Sequence, residues 1–100
     1  MTTIPAEDPT TRLILRHILA TIAYRAGKAL RDTPEAFGQY RQTPDSPSSV
    51  EIVAHMGDLM EWALRLVRGE WAWTRATPLP WDQEIARFYR TLKALDDELA

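Results

Sequence analysis

The stretch SSVEIVAHMGDLMEWALRLVRG, Ser48 to Gly69, carries the start and stop signals of a helix at its two ends. Ser48 and Glu51 have the S-x-x-E spacing in which a hydroxyl caps one free N–H while the glutamate reaches back to another. Gly69 follows the last apolar turn, where a helix commonly ends on a residue of positive φ. Between them Val53, Met56, Met60, Ala63, Leu64 and Val67 recur at steps of three and four and make one wide apolar face. Ile52, Leu59 and Leu66 extend that face on one side. The spacing predicts that Met56, Met60, Ala63 and Val67 are buried and that Glu61, Arg65 and Arg68 face water. His55 stands at the border, with Glu51, Asp58 and Trp62 one or two turns away along the same stripe.

Upstream, residues 1–7 read as a loose arm, and Asp8-Pro9 then supplies a cap followed by proline at the first helical position. Leu15, Ile18, Leu19, Ile22, Ala26, Ala29 and Leu30 keep a helical period to about Asp32, where Pro34 disfavours an α conformation at Thr33. Thr33 is then placed to cap one short turn from Pro34 to Tyr40, which tucks Phe37 and Tyr40 under the bundle. QTPDSPSS, Gln42 to Ser49, is a loop.

Downstream, GEWAWTRATPLP (residues 69–80) is too rich in proline and tryptophan for a plain helix. About 12 extended residues reach up to about 40 Å, whereas a helix of about 20 residues is about 30 Å long. The linker is therefore long enough to return along the bundle and leave the helices on either side of it parallel. In the last helix Ile85, Phe88, Leu92, Leu95 and Leu99 alternate steps of three and four without a break. The expected architecture is a single all-α domain over residues 1–100, with long helices near 9–32, 49–68 and 81–99 and no sheet.

Composition narrows the function classes. With 45% hydrophobic and 26% charged residues, the chain has the balance of a soluble globular domain. A net charge of −2 provides no basic field for nucleic acid or an anionic membrane. No apolar run approaches the roughly 20 residues that span a bilayer. Cysteine is absent, which removes disulfides, thiolate nucleophiles and thiolate metal sites, and fits a cytoplasmic setting.

His55, with carboxylates at i−4 and i+3, has two readings: a metal ligand or base, or a boundary histidine bonded to Glu51 or Asp58. Glu51 already has a capping role, and Asp58 either orients the ring or faces water. His17 on the first helix meets His55 only if the two helices face each other at that level. Trp62, Trp71, Trp73 and Trp81 either line a pocket for a small molecule or cover the open end of the bundle and hold the linker down. No H-E-x-x-H motif, nucleophile elbow or phosphate loop is present.

RHILATIAYR, the proline-serine loop, SSVEIVAHMGDLMEWALRLVRG with its V-A-H-M segment, and PLPWDQEIARFYRTL together resemble the DinB/YfiT-like superfamily of helical proteins. The resemblance covers residues from about 10 to 100. It implies a four-helix bundle with a long crossover between helices two and three. It also implies a divalent metal, nickel or zinc, held by one histidine on helix two, here His55, and by two more on a fourth helix. Hydrolase or thiol S-transferase activity is implied with the metal. A fourth helix is absent from this sequence, so the chain is either a piece of a longer protein or a branch that has lost the metal. One imidazole with flanking carboxylates is too few fixed ligands to hold the metal tightly.

Two functions therefore compete: a relative of metal-dependent enzymes with an incomplete site, in which Glu51, Asp58, Trp62 and His17 surround His55, and a non-catalytic helical binding or assembly module that keeps the fold alone. With three helices of a four-helix plan, apolar seams on helices one and three are left to be covered. The expectation is a homodimer about a two-fold axis through Ile85, Phe88, Leu92 and Leu95, with Leu15, Ile18 and Ile22.

Overall fold

A computed structural model describes residues 8–100, and the expected loose arm over residues 1–7 lies outside them. The described chain is all-helical, with no strand: α1 spans Pro9–Leu30, a short 3-10 turn spans Glu35–Gln39, α2 spans Ser49–Val67 and α3 spans Trp81–Leu99. The cap of α1 is Asp8, whose carboxylate accepts from the Thr10 N–H and the Thr11 hydroxyl. Asp32 takes a left-handed conformation with φ 59° and ends the helix two residues ahead of Pro34. Ser48 and Glu51 form the reciprocal capping box at the start of α2. At its other end Gly69 has φ 82°, and the Gly69 and Glu70 N–H groups return to the Leu66 and Arg65 carbonyls.

Interhelical bonds set the topology. The Arg12 guanidinium donates to the Glu98 carbonyl at 3.0 Å and Arg16 pairs with Asp96 at 2.9 Å. At the opposite end the Trp81 indole donates to the Thr33 hydroxyl at 3.0 Å, so α1 and α3 are antiparallel. Arg87 reaches the Ala54 carbonyl and Arg68 pairs with Glu98, so α2 and α3 run parallel. The segment between them returns the full length of the bundle, as its reach allows.

Helix α3 is the centre: α1 lies against one side of it, α2 against another, and the α1 and α2 backbones do not approach each other. Leu19 and Ala26 of α1, Val50 and Val53 of α2, and Trp81, Phe88, Leu92, Leu95 and Leu99 of α3 form the buried core. This corrects the expected interface. Phe88, Leu92 and Leu95 are enclosed within one chain and cannot meet a partner, and Ile85 is partly buried against the same core. Exposed apolar side chains are found instead on α1 and α2. Ile14 and Ile18 are 56% and 46% exposed there, as are Ile52 at 48% and Leu59 at 37%.

The same geometry explains the central helix. Met56, Met60, Ala63 and Val67 are half-buried rather than buried, because the deepest line of α2 is Val50, Val53, Ala54, Gly57 and Asp58. Of the three residues expected to face water only Arg68 is exposed, since Glu61 turns towards Arg87 and Arg65 donates to the Thr74 hydroxyl.

The end of the bundle is closed by Trp81 alone among the tryptophans. It is 3% exposed, and the backbone of Gly38 lies so close that an added Cβ would stand 2.9 Å from the Trp81 Cβ. Thr33 does not cap the 3-10 turn; its hydroxyl donates to the Leu30 carbonyl and accepts from Trp81. The Trp81 backbone N–H is bonded by Glu35, a residue of that turn. Phe37 packs edge-on against Trp81, yet it and Tyr40 stay largely exposed.

Candidate functional site

The most constrained polar group in the molecule sits between α2 and α3. Glu84, Arg87 and Thr91 follow one another at helical spacing beside the apolar seam of α3, and all three are buried. The Arg87 guanidinium donates to Glu84 at 2.8 Å and to Asp58, and it lies 3.5 Å from Glu61. The second Glu84 oxygen accepts the Leu79 N–H at 2.8 Å, so the cluster also fastens the end of the crossover. Burial works against the charged guanidinium, but its hydrogen bonds to Glu84 and Asp58 outweigh that cost and hold its pKa above the ordinary arginine value.

Asp58 therefore neither orients His55 nor faces water, as the sequence reading had it. It is 3% exposed and bound to Arg87. Sequence reasoning passed over Glu84 and Arg87 entirely. A signal was present: Asp58 sits among the small residues of the α2 core face, and Arg87 has opposite charge beside the α3 seam. Gly57 makes room for the pair, since a Cβ there would stand 2.7 Å from the Arg87 Nη1. Helix propensity alone predicts that Gly57→Ala stabilises α2 by about 1 kcal/mol. Displacing a guanidinium pinned by two carboxylates reverses the sign, so the variant is expected to lose about 1–2 kcal/mol in urea denaturation. A gain of stability would show that the guanidinium gives way freely.

On the outer flank of α2 an open cleft of about 370 Å³ lies between this helix and the crossover. Pro47, Glu51, Ile52, Ala54, His55, Asp58, Arg75, Ala76 and Pro78 line it. His55 is exposed, and its ring stands edge-on to Trp73 at 6.2 Å. Trp73 in turn meets Trp62 at 5.7 Å. The tryptophans thus divide: Trp81 closes the core, Trp62 and Trp73 clamp the crossover to the flank of α2, and Trp71 is exposed.

Glu51 is held by the Ser48 backbone N–H, then by the Ser48 hydroxyl, with the Arg41 guanidinium at 2.7 Å, and these keep its pKa below the usual carboxylate value. His17 is exposed on α1, a helix whose backbone does not approach that of α2. No group of three or more His, Cys, Asp or Glu residues is arranged to hold a metal ion among the described residues. The residues around His55 do not fit a divalent metal site: one carboxylate caps a helix and the other is bound to an arginine. No helix of the described chain is long and apolar enough to cross a membrane. In comparison with protein-family models, curated proteins and solved structures, the chain matches none.

Proposed function

We propose that the chain is a DinB-like helical module that acts by binding and self-assembly rather than by metal catalysis. The observation that carries this reading is the apolar face left open along α1 and α2. Kinship with the DinB-like bundles is supported by the helix order, by the parallel α2 and α3 with their long crossover, and by His55 in its V-A-H-M setting. The reading includes a cytoplasmic location, which a cysteine-free composition suits.

The occupant of the open face is a second copy of this chain. Ile14, Ile18, Ile52 and Leu59 are uncharged, so a two-fold axis brings the patch onto itself without opposing like charges or stranding a buried one. Covering these side chains on both copies contributes of order 10 kcal/mol at about 25 cal/mol per Å². Association costs about 4–15 kcal/mol in lost freedom, which leaves at best about 6 kcal/mol, so the dimer is expected to form with a Kd of tens of micromolar or weaker. Light scattering at several hundred micromolar should give a mass approaching twice the 11.5 kDa of the chain. Leu59→Glu should return the protein to monomer with its helix content intact, because Leu59 is already 37% exposed in the single chain. A wild-type monomer at that concentration, or a dimer indifferent to Leu59→Glu, would sink the proposal.

A further inference from the structure

We infer that the cleft between α2 and the crossover binds a small organic carboxylate, gripped by Arg75. The inference does not depend on the assembly reading, although Ile52 belongs both to the cleft and to the open face. Its volume of about 370 Å³ falls within the range of small-molecule sites. Pro47, Ile52, Ala54, Ala76 and Pro78 give it apolar walls.

The charge balance of the lining selects the ligand. Both carboxylates in the cleft are already bound. Glu51 holds Ser48 and Arg41, and Asp58 holds Arg87. Among the described residues Arg75 has no carboxylate within ion-pair reach and no side-chain hydrogen bond, and it is the cationic residue of the lining. An entering cation would have to displace an arginine from one of the paired carboxylates and sit beside Arg75. An entering carboxylate meets a free planar fork of donors that suits its two oxygens. His55 lines the same cleft, and its neighbour Trp73 stands by as a reporter.

Benzoate, benzyl alcohol and benzylamine share a ring and differ in the charge of the head group. Each is titrated into the full chain, with binding followed by proton–nitrogen NMR at the Trp73 indole and the Arg75 and Ala76 amides. Benzoate is expected to saturate these signals at a Kd at least about tenfold below the other two, the scale of a hydrogen bond to a charged group. Arg75→Gln should abolish that preference, and Arg75→Lys should restore part of it. Both variants should melt with the wild type, because Arg75 is exposed and touches no carboxylate. Ile18→Glu, which blocks the open face from α1 and alters no residue of the cleft lining, should bind benzoate unchanged, which separates this site from the open face. Equal binding of benzyl alcohol, a preference for benzylamine, or benzoate binding that survives Arg75→Gln would each overturn the inference.

Discussion

Arg87→Met is expected to destabilise the protein by about 3–5 kcal/mol, the scale of a buried ion pair that loses one partner. Glu84 is 0% exposed and Asp58 is 3% exposed, so neither carboxylate can exchange the guanidinium for bulk water. Methionine fills much of the arginine volume, which assigns the loss to the stranded charges rather than to a cavity. The damage should spread, because Arg87 also bonds the Ala54 carbonyl and Glu84 also holds the Leu79 N–H. Three segments are joined through one side chain: α2, α3 and the end of the crossover. Combining Arg87→Met with Asp58→Asn and Glu84→Gln should recover a substantial part of the loss, since the amides keep most of the shape and remove the unpaired charge. Urea denaturation of the single and triple variants is the measurement. A single-variant loss below about 1 kcal/mol, the net worth of an ordinary hydrogen bond, would mean that water enters the cluster.

This cluster marks where the sequence stopped being legible. Much of the local structure was written in short patterns: the S-x-x-E box at Ser48, the positive φ at Gly69, the proline at the first position of α1, though not the expected Thr33 cap. The parallel course of α2 and α3 followed from the length of residues 69–80. Partner choice was harder to read. The seam from Ile85 to Leu99 is the most regular in the chain, and by itself it reads as an interface between copies, whereas it belongs to a helix with neighbours on two sides. The open face belongs to α1 and α2, and nothing within either helix distinguishes a stripe covered by a neighbour from one left bare. Asp58 was misread for a similar reason. Its role depends on Arg87, 29 residues further on, and local spacing carries no information about that meeting. His55 is the reverse case. Its place at the border of the face was readable, but its neighbour is the Trp73 ring of the crossover rather than a carboxylate.

Phe88→Ala is expected to cost about 3–5 kcal/mol, the range for removing a large aromatic from a core that cannot collapse around the void. Phe88 is 0% exposed, near the middle of α3, in the cluster that joins Leu19 of α1 to Val53 of α2. Its ring also meets Tyr89 at 5.3 Å, so the neighbour loses an aromatic contact along with the buried area. A 100-residue domain is stable by about 5–15 kcal/mol, and each kcal/mol moves its Tm by about 4–8 °C. The variant should therefore melt more than about 10 °C below the wild type. The same substitution tests which side of α3 the core occupies. Were Phe88 part of an interface between copies, alanine would yield a monomer whose melting no longer depends on concentration, with little loss at high dilution. Since Phe88 lies inside a single chain, the loss should persist at the lowest concentration that circular dichroism can follow. It should persist equally in the Leu59→Glu background, where the open face is blocked. Additivity of the two substitutions would place them in separate surfaces, one holding the chain together and the other holding two chains to each other.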